Sequence, residues 1–383
     1  MANLKKRKKM FPRYVIIFVI IGIGIISATG IYIAATRPAV PSEPLSRQVM
    51  DYQQTIVRAV KPPPTTAALQ YAYVSSAYAD GIHSGSQRTA LQAAQAMLEM
   101  IYPEKKAEIS AHIVKLAADN NLQEFIVPDT RATELAQGYA SRYAGDGHSL
   151  VWDLSIPKGP GKWIQTTPKD PMTPRAGEWQ RWNVQTAIDV PPPPVLNSSE
   201  DRKQIAGVSA AAASRNGQDV NTINFWGGTP GTETPSGIWQ NQLYATIRTE
   251  LPKNHITADQ KYALVQKVLA QTESDAFMEC WKVKYTYWTA RPSMRIPGLV
   301  TAMDNPNFPS YISGHSTISK AAADVLGVLT PQHKAAWNSM AMEARQSRLK
   351  AGIHFDIDNA VGYDVGSAVA SQTIAKLGLK AQI

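Results

Sequence analysis

The sequence predicts an all-α fold preceded by one membrane-spanning helix. Apolar residues recur at spacings of three and four through most of the chain, and strand-like alternation is scarce. One long uncharged run lies near the start. The chain has 383 residues, 44% of them hydrophobic, enough for one large core or two smaller ones. That composition excludes a disordered chain. Cys280 is the single cysteine, which excludes an intrachain disulfide framework and a multi-cysteine zinc site. The net charge is +9, but Lys5, Lys6, Arg7, Lys8, Lys9 and Arg13 supply six positive charges before residue 14. The remainder carries about +3, an ordinary value that gives no support to a nucleic-acid footprint.

Tyr14–Ala35 is a 22-residue run without charge. As a helix rising ~1.5 Å per residue it spans about 33 Å, enough for a hydrocarbon core of ~30 Å. The basic segment 1–13 is expected to stay cytoplasmic, which sends the body of the chain outward. Residues 14–35 therefore read as an uncleaved signal anchor, and the protein as a single-pass protein of the cell membrane with its body extracytoplasmic. A cleaved signal peptide is the competing reading, but such segments have apolar stretches of only about 7–15 residues. Residues 36–45, rich in proline, read as a stiff linker to a body at 46–383.

Within the body, helices are predicted at 46–60, 67–79, 86–101, 104–118 and 131–144. The first must end at Lys61-Pro-Pro-Pro64. Residues 145–195, broken by glycines and prolines, read as a long irregular segment covering the helices. Helical patterning returns at 199–215, and turn residues break it again at Phe225–Gly237. A long helix is predicted with Thr257 as N-cap and Gln260 completing a capping box; it runs towards Trp288 and stops before Pro292. Ser316–Leu326 is helix-like, Thr330-Pro331 reads as an N-cap with proline at the first position, and a final helix covers about 359–377.

Chemistry concentrates in the motif-bearing part, about 257–377. Lys284 and Arg291 are seven residues apart, close to two helical turns, so both cations can project on one side. In Phe308-Pro-Ser-Tyr-Ile-Ser313-Gly314-His315, small residues enter a helix, exposing backbone N–H groups that suit an oxyanion. Ser313 adds a hydroxyl, and His315 sits where it can exchange a proton with a ligand. In the third cluster, Ser347-Arg348 precedes His354 and Asp358, whose four-residue spacing lets the carboxylate orient the imidazole. Arg348 offers a planar fork matched to an oxyanion. Taken singly, each cluster is also what a solvated face, a helix cap or a surface ion pair produces; Asp356 and Asp358 lack the surrounding ligands of a calcium loop. Together they supply three cations, backbone donors and two histidines around one oxyanion. The remaining histidines, at 83, 112, 148, 255 and 333, have no metal-ligand spacing, and Cys280 reads as a buried small hydrophobe.

Lys-x6-Arg-Pro, Ser-Gly-His and Ser-Arg-x5-His-x3-Asp resemble the three-part signature of the vanadium haloperoxidase and type 2 phosphatidic acid phosphatase superfamily. Tyr139–Gly147, Phe225–Gly237 and Trp281-Lys-Val-Lys284 are similar to bacterial vanadium-dependent haloperoxidases, so the resemblance covers about residues 45–375. It implies two packed four-helix bundles, with vanadate as cofactor and halide and hydrogen peroxide as substrates. His354 would bond vanadium, and Lys284, Arg291, Arg348, Ser313 and the Gly314 N–H would hold the equatorial oxygens. His315 would be the acid–base residue, Asp358 would orient its histidine partner, and Trp281 and Phe308 would line the halide side. The same positions serve an acid phosphatase, in which a phosphoester replaces vanadate and His354 attacks phosphorus. A binding protein with a relic site is the non-enzymatic alternative. The family's usual proline before Ser-Gly-His is Ile312 here, which predicts a less rigid loop.

Overall fold

The computed structural model describes residues 43–383, Leu154 and Thr166 excepted. The basic segment and the anchor expected at 14–35 lie outside the described residues. Among the described residues no helix is long and apolar enough to cross a membrane. None forms a strand, and only isolated bridges occur, at Lys162–Thr289 and Pro230–Thr232.

The helices are α1 (Leu45–Val60), α2 (Pro64–Ser84), α3 (Gln87–Ile101), α4 (Lys106–Asp119), α5 (Thr130–Gly145), α6 (Ser199–Ala213), α7 (Gly217–Phe225), α8 (Thr234–Ile247), α9 (His255–Tyr287), the single turn α10 (Pro292–Arg295), α11 (Gly314–Leu329), α12 (Lys334–Lys350) and α13 (Asp356–Leu377). The long helix α9 packs against α2 and α11; α2 carries α3 and α5, and α11 carries α12 and α13. Because α9 is covered on nearly every side, its polar residues must find partners inside the protein. Asp259 accepts hydrogen bonds from Ser46 Oγ (2.6 Å), Tyr78 Oη (2.7 Å) and Gln87 Nε2 (2.8 Å), tying α1, α2 and α3 to α9.

The irregular segment is pinned to α9 by the same means. Asp275 accepts the backbone N–H groups of Trp182, Asn183 and Val184 at 2.7, 2.6 and 3.0 Å, and Glu279 accepts Arg181 Nε at 2.8 Å. Near the end of α9, Trp281 Nε1 and Tyr285 Oη both donate to the Met172 carbonyl. Residue 172 is thereby held over the site described below.

Several helix ends differ from the sequence expectation. The N-cap of α9 is Asn254, not Thr257: its Oδ1 accepts the Thr257 N–H at 3.0 Å, so the helix starts earlier. Thr330 does not cap with its hydroxyl, which donates to Leu326 O and accepts Trp337 Nε1; Pro331 opens a 3-10 turn, and α12 follows from Lys334. Helices α7 and α8 stand on both sides of the turn at 226–233, where the sequence suggests a longer break. The last helix begins at Asp356.

Candidate active site

The turn that ends α9 builds one wall. Trp288 takes the left-handed conformation (φ 54°), so the helix stops after Tyr287 and Arg291 lies beyond it in extended backbone. The expectation that Lys284 and Arg291 share one helix face is thus corrected, yet both side chains are fully buried in the same place. Lys284 Nζ donates to the carbonyls of Pro309 and Ser310, each at 2.8 Å. Arg291 Nε donates to Phe308 O (3.1 Å) and Nη1 to Ile353 O (2.8 Å). Both cations grip the loop before α11, and the Phe308 ring lies under each.

That loop is tied down along its length. The Ser310 and Tyr311 N–H groups donate to Thr289 O and Oγ1, Ser313 N–H donates to Asp358 O (2.9 Å), and Cys280 Sγ donates to Ile312 O. Ile312 itself is fully buried. These contacts and the burial of Ile312 hold the loop against α9 and α13. Two glycines of α13 allow the approach: a Cβ at Gly362 would meet Ser313 O at 2.8 Å, and one at Gly366 would meet Thr317 O at 2.2 Å.

His354 follows the turn at Gly352 (φ 76°) that ends α12. It precedes α13 instead of lying within it, but the expected pairing is present: Nδ1 lies 3.0 Å from Asp358 Oδ2. The same carboxylate oxygen accepts Ser310 Oγ–H at 2.5 Å and the Phe355 N–H at 3.2 Å. Nε2 of His354 faces Arg291 Nη1 at 2.9 Å. A guanidinium can only donate, so Nε2 carries the lone pair and Nδ1 the proton that Asp358 receives. Burial, then the Arg291 and Lys284 charges, hold this imidazole neutral, well below its ordinary pKa.

His315, on the first turn of α11, lies 2.6 Å from the Trp226 carbonyl through Nε2. Nε2 is the donor, so Nδ1 is left to exchange a proton with a ligand. Burial and the Arg348 charge also push its pKa well down. Trp226 is fixed by the row Trp226–Trp239–Trp337, with ring centroids 5.5 and 6.4 Å apart. Its indole Nε1 donates to Glu343. Arg348, fully buried on α12, donates to Ser347 Oγ, Ile223 O and Met303 Sδ.

These groups surround a cavity of about 140 Å³. Gly314, His315, Arg348, His354, Asp304 and Asn305 are among its polar lining, and Phe277, Trp281 and Phe308 among its apolar lining. The Trp281 and Phe308 rings touch at 4.8 Å between centroids. Arg291, Ser313 and Asp358 adjoin the polar side through His354 and Gly314, and Lys284 Nζ lies over the Phe308 and Trp281 rings. The structure thus gathers the residues of the three motifs together with Trp281 and Phe308. It adds Ser310, Trp226 and Met303, whose roles rest on long-range contacts.

Of the three buried cations, Lys284 and Arg291 act on the buried carboxylate Asp358, and the exposed carboxylate Asp304 also lines the cavity. Burial lowers the pKa of Lys284, of Arg291 to about 10 and of Arg348 to about 9. Burying like charges together is costly unless a counter-charge joins them. Among the described residues of this site, two buried donors have no protein partner, Ser313 Oγ and Arg291 Nη2. Unpartnered buried donors beside unneutralised cations and a neutral imidazole lone pair fit a tetrahedral oxyanion such as vanadate or phosphate. Among the described residues no group of three or more His, Cys, Asp or Glu side chains could hold a bare metal ion.

No protein-family model matches the chain. No curated protein matches it either. Solved structures do. A bacterial vanadium-dependent iodoperoxidase is similar over 87% of this chain and 96% of its own, with TM-score 0.73 and 18% identity. Apo-type bacterial vanadium-dependent chloroperoxidase matches over 82% and 93% of the two chains, with TM-score 0.61 and 10% identity. The holo-type structure matches over 90% and 95%, with TM-score 0.60 and 11% identity. The chain has the fold of the bacterial vanadium-dependent haloperoxidases.

Proposed function

We propose that this chain is a vanadium-dependent haloperoxidase. The observation that carries the reading is the buried cradle, in which unpartnered Ser313 Oγ and Arg291 Nη2 join three cations around a neutral His354. Bound vanadate would supply Lewis-acidic activation of hydrogen peroxide toward halide. His354 Nε2 would bond the vanadium once Arg291 Nη1 turns to an oxygen, while Asp358 keeps the proton on Nδ1. Lys284, Arg291, Arg348, Ser313 Oγ and the Gly314 N–H hold the oxygens. His315 Nδ1 accepts a proton from incoming peroxide, and Trp281 and Phe308 keep water from the halide side. Residues 14–35 anchor the chain in the cell membrane with residues 46–383 outside the cytoplasm. The helices gathered on α2 and those gathered on α11 form the two bundles, sharing α9.

A phosphatase reading uses the same cradle, with His354 Nε2 attacking phosphorus and His315 serving the leaving oxygen. It is supported by the same surplus of buried positive charge. The small, mostly apolar cavity favours halide and peroxide over an organic phosphoester. The two readings separate in one assay of the full chain with orthovanadate, bromide, peroxide and a halogen acceptor. Vanadate-dependent bromination that disappears in His354→Ala supports the haloperoxidase. Absence of bromination, with phosphomonoester hydrolysis that vanadate inhibits, identifies a phosphatase.

A further inference from the structure

We infer that Met303 is an oxygen-accepting modification site in the wall of the anion cavity. Its thioether is oxidised to the sulfoxide by hydrogen peroxide or by a hypohalous acid. The target rests on geometry, and the source of oxidant rests on the haloperoxidase reading. Met303 is partly exposed and lines the same cavity as His315, Arg348 and His354. Its Sδ accepts a hydrogen bond from Arg348 Nη1 at 3.2 Å. An oxidant that forms in or enters this cavity has two thioethers in its wall, Met303 and Met172, and the sulfur of Met303 is the one hydrogen-bonded to Arg348. By contrast, Met100 and Met340 pack on the main core away from the cavity.

The step balances without a further reagent. The free sulfur lone pair attacks one oxygen of hydrogen peroxide, and an S–O bond forms as the O–O bond breaks. Sulfur gives up two electrons, and the departing hydroxide leaves as water after taking the proton that remained on the transferred oxygen. With a hypohalous acid, the O–halogen bond breaks instead, releasing halide and a proton. Arg348 N–H groups lie beside the sulfur and stabilise the departing oxygen anion. The product turns a flexible apolar side chain into a polar, chiral one. Its oxygen is a much stronger acceptor than the thioether, so it holds Arg348 away from the bound oxyanion. The enzyme is thereby self-limiting under excess oxidant, and methionine sulfoxide reduction restores it.

The test uses the full chain and peptide mass spectrometry. In a first arm without vanadate, peroxide or hypobromous acid is added, and oxygen gain is followed at each methionine. The expected result is that Met303 is oxidised about five-fold faster than Met100, Met340 and Met172 (the last also in the cavity). Equal or slower oxidation at Met303 overturns the site. In a second arm, orthovanadate and bromide are supplied with peroxide too dilute to act alone. Faster Met303 oxidation there supports turnover as the source. No acceleration defeats the haloperoxidase reading, while the site itself stands or falls on the first arm. Orthovanadate affinity, measured by calorimetry, should fall about tenfold after oxidation and recover with a sulfoxide reductase. Met303→Leu should keep its affinity through the same treatment; an unchanged affinity of the oxidised wild type overturns the regulatory effect.

Discussion

The unpartnered Ser313 hydroxyl makes a sharp two-way prediction. Ser313 is fully buried, and its Oγ has no hydrogen-bond partner. Leaving such a group unsatisfied costs about 1–3 kcal/mol, so Ser313→Ala should stabilise the ligand-free protein by roughly that amount. Unfolding entropy of ~2.1 cal/mol/K per residue over the ~340 residues from Glu43 to Ile383 gives about 0.7 kcal/mol/K. The melting temperature should therefore rise by about 1–4 °C. A hydrogen bond from this hydroxyl to an oxyanion is worth about 1.5–3 kcal/mol, so the same substitution should weaken vanadate or phosphate binding roughly ten- to hundredfold. Differential scanning calorimetry of the ligand-free protein and titration calorimetry with orthovanadate measure the two effects. If Ser313→Ala melts lower and binds vanadate as tightly as wild type, the hydroxyl is a structural partner and no part of an oxyanion cradle.

Other consequences follow from the same geometry. Burial holds His354 well below its ordinary pKa, so below pH ~6.5 the unfolded chain takes up a proton that the fold does not. Stability from this group is lost as pH falls below ~6.5, and His315, lowered in the same way, loses stability over the same range; urea unfolding should show both losses, and His354→Gln should keep only the part due to His315. Phosphate at about a hundred times its Kd should add ~2.7 kcal/mol, raising the melting temperature by about 4 °C. No rise with phosphate or vanadate would mean that the cradle holds no oxyanion. Gly366→Ala places a Cβ 2.2 Å from Thr317 O, so α13 must shift from α11. A loss of about 1–3 kcal/mol is expected in thermal melting, and an unchanged midpoint would contradict the close packing.

The all-helical class is legible because long amphipathic and Ala-rich stretches leave no strand-like alternation, and α1, α3 and α5 begin within a residue of their predicted starts. The turn-rich segment Phe225–Gly237 hides the start of α8, since glycine and proline mark a break without giving its length, and α7 fills the interval between the helix read at 199–215 and that break. The motif spacings find the right residues, in one case by a different route. Lys284 and Arg291 converge because the chain turns at Trp288, not because two helical turns align them. His354 and Asp358 pair across the start of α13, which their spacing anticipates. Trp226 escapes sequence reasoning because its contribution to His315 is a backbone carbonyl, which every residue possesses. Ser310 lies inside the Phe308–His315 cluster, but its partner Asp358 is 48 residues away, and no local pattern encodes that contact.

Whether His354 and the buried cations hold an oxyanion is decided by orthovanadate binding to wild type and His354→Ala, followed by calorimetry or by the vanadium-51 resonance. One vanadate per chain is expected in the wild type, displaced by phosphate, with at least roughly hundredfold weaker binding in His354→Ala, the loss of about 2.7 kcal/mol. Equal affinity in the two proteins would place the anion elsewhere and overturn the assignment of the site.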